Sequence, residues 1–362
     1  MEDYFEIDFL DVETKKSGDA ITLRYRLAGT EYIHVVDGGY MATGEKVVTQ
    51  IKTYYGDPGL INHVVATHPD GDHTAGLRAV LTGYPVGNLW MNRPWLYADE
   101  LMLRFARYTN KANLIRDLKI AFPNTAALEE IALEKGIPIH ETFQGNMIGA
   151  FTVMAPTRER YIEKVLESEK TGVVAKASGY EESLSALDFM KEALGKIVHF
   201  IKSQWAQETF PAEGTSPENE MSVVQYATIN GIKILLTADT GREGLQEVIN
   251  FAPFVGLSLP GIDRFQVPHH GSRRNVNTEL LDQILGERLQ SQAAEPLFTA
   301  IISSAKEDED HPRLSVVRAM HHRGARVATT EGQSIQTSSS NAPARAGWGP
   351  ATLSPYPEEQ EE

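Results

Sequence analysis

Cysteine is absent from the 362 residues, which excludes disulfide scaffolds, thiolate-ligated zinc, thiol nucleophiles and thioredoxin-like chemistry. Long hydrophobic runs are absent too: none approaches the roughly 18 apolar residues of a membrane-spanning helix. The start, Met1-Glu2-Asp3-Tyr4, lacks the basic and apolar regions of a secretion signal. The expectation is a cytoplasmic protein with no membrane partner. Basic charge is scarce: 34 Lys and Arg stand against 49 Asp and Glu, a formal net charge of −15. That balance disfavours broad binding to nucleic acid, whose non-specific affinity comes mostly from phosphate neutralisation. It leaves room for a local cleft that takes a phosphate. The remaining composition, 41% hydrophobic and 23% charged, is that of an ordinary folded domain, and no segment repeats at a fixed period.

Residues 5–11, 20–27, 32–37 and 62–67 read as strands, being rich in β-branched and aromatic residues between turn-forming glycines. A helical stretch over 41–54 separates the last two. Residues 90–212 read as largely helical, broken by a strand at 149–154. The clearest helix is 182–207, where Leu187, Met190, Leu194, Ile197, Val198, Ile201 and Trp205 recur at three- and four-residue steps. Such a face packs on its own core, or serves as a dimer helix or a lid. Strand signals return at 222–228, 232–237, 264–267, 297–303 and 325–328, with helices at 243–250, 278–285 and 314–323. Past residue 336 the composition shifts to Ser, Ala, Pro and Gly and ends in an acidic run, so 337–362 is expected to be a disordered tail.

Three segments carry chemistry. His68-Pro69-Asp70-Gly71-Asp72-His73 sets two imidazoles and two carboxylates side by side at the end of a buried strand. Donors that close repel one another unless a cation offsets them, which favours a metal over an exposed acidic turn. Pro268-His269-His270-Gly271-Ser272-Arg273-Arg274 also follows a strand. Consecutive histidines point apart, so one is the expected ligand, while the other orients it or meets substrate. The two arginines either grip an anion or form a solvated turn. Asp239 ends the apolar run 234–237; it reads as a helix N-cap or, standing between the two His segments, as a metal ligand.

The ordered set resembles the metallo-β-lactamase-fold hydrolases: H-x-[HD]-x-D-H at His68 to His73, a later bridging Asp at Asp239, and the late Pro268-His269-His270-Gly271-Ser272. Asp37-Gly38-Gly39 fits the family's early Asp-Gly pair. Gly18-Asp19-Ala20, Asn219-x-x-Ser222 and His311-Pro312 resemble the soluble hydrolase domain of ComEC-type competence proteins, which similarly has Asp at the second motif position. The resemblance implies a four-layer αββα sandwich over residues 1–336, with a helical insertion at about 159–214 in the 219 − 73 = 146 positions between motifs. The channel helices of that subgroup are missing, so a DNA-uptake role does not carry over. The third-motif His of the wider family has no counterpart in Glu218-Asn219-Glu220-Met221-Ser222.

Carried over by position, the resemblance implies two divalent metal ions, Zn or Mn. His68 and Asp70 would serve one, Asp72 and His73 the other, Asp239 would bridge, and His269 or His270 would complete the set. Asp70 makes the first position oxygen-rich and shifts preference toward manganese. The implied activity is phosphodiester or nuclease hydrolysis by a metal-bound hydroxide, with Asp72, Asn219 and His311 as catalytic residues and Ser272 and Arg273 on the substrate. That substrate would be a nucleotide or a short single strand. Hydrolysis of thioesters, lactones or other carboxylic derivatives is the alternative, and a sensor or scaffold with a structural metal is another. A homodimer or protein partner would use the insertion. His321 and His322 are expected at the surface.

Overall fold

Apolar side chains alternate or run unbroken where strands are expected, and the computed structural model pairs those segments into two large sheets. It describes residues 2–105, 108–171 and 199–362. The first half supplies β1 (Tyr4–Phe9), β2 (Ala20–Leu27), β3 (Thr30–Gly38), β4 (Ile61–Val65), β5 (Val86–Trp90), β6 (Ile139–His140), β7 (Met147–Ile148) and β8 (Phe151–Ala155). The second supplies β9 (Phe200–Lys202), β10 (Val224–Ile229), β11 (Ile232–Leu236), β12 (Arg264–Gln266), β13 (Phe298–Ile302), β14 (Ala325–Thr329), β15 (Ile335–Ser338) and β16 (Glu359–Glu361). One seven-stranded sheet has the order β15-β1-β2-β3-β4-β5-β6 and the other β14-β13-β12-β11-β10-β8-β7. Strands β3 to β6 are parallel, as are β11 to β14.

Helices α1 (Gly44–Tyr54), α2 (Gly71–Thr74), α3 (Leu77–Gly83), α4 (Ala98–Arg104), α5 (Lys111–Ala121), α6 (Pro123–Lys135) and α7 (Arg158–Glu167) belong to the first half. In the second lie α8 (Pro217–Glu220), α9 (Arg242–Phe251), α10 (Thr278–Leu285) and α11 (Leu314–His322). Ile7, Leu23, Val36 and Val65 of the first sheet face Val153, Ile234 and Ile301 of the second in a core between the sheets. The outer face of the first sheet buries Val47, Ile51, Leu77, Leu81 and Leu128 from α1, α3 and α6. Leu245, Val248, Leu281, Ile284, Val316 and Met320 of α9 to α11 cover the other sheet. Each such side chain contributes about 1.5–3 kcal/mol. The result is a four-layer αββα sandwich. Two glycines bring its loops together: a Cβ on Gly76 would lie 2.0 Å from the Gly38 carbonyl oxygen, and one on Gly18 2.6 Å from that of Asp72.

Several expectations change. Of the helix expected at 182–207, residues 182–198 lie outside the described residues, and Phe200–Lys202 is strand β9, paired antiparallel with β16. The expected tail disorder gives way to specific contacts. Arg345 bonds Asp8 Oδ1 at 2.6 Å and Glu6 Oε2 at 2.7 Å. Glu361 accepts from Leu314 N at 2.8 Å and Ser315 N at 3.0 Å, capping α11. Ion pairs and a helix cap hold a segment whose low hydrophobicity predicts none. His321 and His322 are buried rather than on the surface. His322 Nδ1 lies 2.9 Å from Glu208 Oε1, and Arg323 donates to the same oxygen at 2.7 Å.

Candidate metal centre

The parallel strands of both sheets end at one edge, and the chemistry-bearing residues stand on the loops that follow them, the usual location of sites in such sheets. Asp37, the penultimate residue of β3, has a left-handed φ of 58°. It accepts from Thr67 N at 2.9 Å, from Thr67 Oγ1 at 2.6 Å and from His73 Nδ1 at 2.8 Å. The motif after β4 is thereby tied to the strand beside it. Asp70 sits at the N-cap of α2 but makes no side-chain cap, so its carboxylate is not spent on the helix. Asp239 follows β11, and His269 and His270 follow β12 with φ of 47° and 54°. These successive left-handed residues overturn the expectation that neighbouring histidines diverge. Strain of this kind at non-glycine residues collects at functional sites.

Asp239 is the hub. Its Oδ1 is 3.2 Å from His73 Nε2, and its Oδ2 is 3.8, 3.6 and 3.7 Å from Nε2 of His68, His269 and His270. Each ring is held through its other nitrogen: His68 Nδ1 by Thr67 Oγ1 at 3.1 Å, His270 Nδ1 by the Ser303 carbonyl at 2.8 Å, and His269 Nδ1 by Asn275 Oδ1 at 3.0 Å. With Nδ1–H donating, all four Nε2 atoms face a carboxylate. Among the described residues, the buried Nε2 atoms of His68, His73 and His270 and Oδ1 of Asp239 have no hydrogen-bond partner. Buried polar atoms are rarely left so. A cation among them satisfies all at once, and fixing one ring nitrogen while the other coordinates is how proteins orient metal-binding histidines.

The donors fall into overlapping groups with atoms within 4.8 Å of one another: Asp72, His73 and His270; Asp19, His73 and Asp239; and Asp37, His68 and His73. Asp72 Oδ2 lies 3.8 Å from His270 Nε2 and 4.0 Å from His73 Nε2. Asp70 Oδ2 lies 3.9 Å from His68 Nε2, a looser arrangement. Charge follows geometry. Burial pushes the His73 and His270 imidazoles down, but the Asp239 and Asp72 carboxylates overcome it, holding His73 well above the usual range and His270 at about 9. Burial alone would raise Asp239; the surrounding imidazoles keep it well below the ordinary carboxylate range. The site calls for positive charge.

Of the remaining expected residues, Asn219 of α8 sets its amide 3.1 Å from His269 Nδ1 and 2.6 Å from Thr215 Oγ1, behind an imidazole. The ring of His311 stands 5.2 Å from that of His269, and its Nδ1 is 3.3 Å from Asp308 Oδ2. Ser272 is buried, with its Oγ accepting from Arg274 N at 3.4 Å. Arg273 donates to the Glu362 carbonyl at 3.1 Å, and its guanidinium makes no described contact with the cluster. Sequence reasoning missed Asp19 as a member, although Gly18-Asp19 was visible as a motif. Gln266 Nε2 donates to Asp19 Oδ2 at 2.8 Å. Asn275 and Ser303 carry no sequence signal.

Layer order, sheet topology and the placement of the donors at one sheet edge agree. The chain has the metallo-β-lactamase fold. No family profile matches it. Among curated proteins it is similar to ComE operon protein 3 of Bacillus subtilis (strain 168), 29% identical over 121 residues, which are 33% of this chain and 14% of that protein. The similarity accords with the ComEC-like motif set, yet this chain spans only a small part of that relative. Among solved structures it is similar to the hydrolase AbOPH of the β-lactamase superfamily, with 11% identity, coverage of 68% of this chain and 75% of that one, and a TM-score of 0.29. At that score the likeness carries no functional weight.

Proposed function

We propose that the protein is a metal-dependent hydrolase acting on phosphodiesters. The observation that carries the metal is the convergence of four imidazole Nε2 atoms on the Asp239 carboxylate, three of them buried without a hydrogen bond. His68, Asp70 and Asp239 would hold one divalent ion, with His269 beside them, and Asp72, His73, His270 and Asp239 the other. Such a pair lowers the pKa of water to near neutrality and polarises a phosphoryl oxygen. Zinc and manganese both suit these donors; the carboxylate at Asp70 favours manganese.

The chain's own groups supply the rest. Asp72 accepts a hydrogen bond from the attacking water and fixes its direction. His311 has Nδ1 engaged by Asp308, whose Oδ2 is in turn fixed by Ser17 N at 2.9 Å and Ser17 Oγ at 2.7 Å. Its Nε2 is therefore the atom that passes a proton to the leaving oxygen. Asn219 stands behind His269, whose Nδ1 proton is taken by Asn275, and acts only by confining that ring. The acidic surface favours a nucleotide or a short single strand over long duplex DNA. The test is a panel of aryl phosphodiesters, nucleotides, single strands, thioesters and lactones offered to the manganese- or zinc-loaded chain. Turnover of the phosphodiesters supports the reading, whereas turnover confined to thioesters or lactones overturns it.

A further inference from the structure

Every imidazole around Asp239 is anchored through its second nitrogen, but Asp70 stands on a turn at the mouth of the site, about a quarter exposed. Its side chain has one described hydrogen-bond partner. Lys170, 100 residues further along the chain, donates Nζ to Asp70 Oδ1. The other oxygen, Oδ2, is the one turned to His68 Nε2, at 3.9 Å. The lysine side chain is about two-fifths exposed, but the backbone that carries it is fixed. Ser168 and Thr171, which flank it, are buried. Ser168 Oγ donates to Glu218, and Thr171 Oγ1 donates to the Ser168 carbonyl at 2.7 Å, with the Val165 carbonyl 3.0 Å away. Glu218 belongs to α8, the turn that also presents Asn219 to His269. Residues 168–171, of which 169–171 are helical, thus reach both Asp70 and the element behind His269.

We propose that Lys170 is a positioning residue for Asp70. It occupies the outer carboxylate oxygen so that the inner one stays aimed at the position beside His68, and its charge offsets an unusually carboxylate-rich donor set. It does for Asp70 what Asp37 does for His73. The inference rests on Asp70 being a ligand in the proposed metal centre. Removing a group that orients a metal ligand typically costs ten- to a hundredfold in metal affinity.

The test is equilibrium binding of Mn2+ to the full chain, by competition with a chromogenic chelator, in wild type, Lys170→Met, Lys170→Arg, Asp70→Asn and the double variant Lys170→Met/Asp70→Asn. Thermal melts of each metal-free variant confirm that it is folded. The expected result is about a ten- to hundredfold weaker first-site affinity in Lys170→Met, near wild-type affinity in Lys170→Arg, and no further loss when Lys170→Met is added to Asp70→Asn. Unchanged or tighter binding in Lys170→Met, or losses that simply add in the double variant, overturns the inference while leaving the metal centre intact. Unchanged binding in Asp70→Asn refutes instead the assignment of Asp70 as a ligand.

Discussion

His73 points Nδ1 at Asp37 Oδ2, 2.8 Å away, and Nε2 at Asp239 Oδ1, 3.2 Å away, so one ring joins the end of β3 to the loop after β11. Both sheets meet the site through this imidazole. Asp37 is fully buried and also receives Thr67, so it fixes where the ring stands and which nitrogen carries the proton.

Asp37→Asn keeps the size of that side chain but offers an amide where His73 needs a carboxylate. Metal affinity should fall by about ten- to a hundredfold, with a folded far-UV circular dichroism spectrum. Metal titration of the variant beside wild type checks this; equal affinity would remove Asp37 from the account.

Much of this site was legible as a run. His68 to His73 form one short run from the loop after β4 into α2, and Asp239 follows an apolar strand, so residue type and spacing sufficed. The strand β2 and helix α10 have the limits expected from their patterns. What escaped depends on conformation or distance. The convergence of His269 and His270 comes from two left-handed residues in succession, which periodicity does not reveal. Lys170 and Asp70 are 100 positions apart. The order of 337–362 rests on Glu6, Asp8 and the start of α11, all remote in sequence.

Glu361 caps α11 from β16, accepting from Leu314 N, Ser315 N and, at 2.9 Å, Ser315 Oγ. Glu361→Ala leaves those donors unmet at a helix start and should cost about 1–2 kcal/mol. A lower urea midpoint with an unchanged slope would show it.

Glu208 gives a pH signature far from the metal centre. Burial would raise its pKa, but His322 and Arg323 outweigh that and hold it at about 2. A carboxylate with a depressed folded pKa stabilises the protein fully above its unfolded value of about 4.3 and loses that contribution as pH falls through about 2. Glu208→Gln should therefore cost about 3 kcal/mol at pH 7, and the gap to wild type should narrow below pH 4. Denaturant unfolding of both proteins from pH 7 to pH 2 checks the sign.

His270 is buried and faces both Asp72 and Asp239, whereas a quarter of the His269 side chain is exposed. His270→Ala should remove one of the two proposed ions, and His269→Ala should weaken binding while retaining both at saturating metal. Metal analysis after gel filtration distinguishes the two variants.

The central claim is that the centre built on Asp239 and Asp72 hydrolyses phosphodiesters with a divalent ion. Hydrolysis of a generic aryl phosphodiester should be measured with added manganese or zinc in wild type and Asp72→Ala prepared together. The account predicts metal-dependent turnover in wild type that is lost in the variant; absence of turnover in metal-loaded wild type, or equal turnover in both, would contradict it.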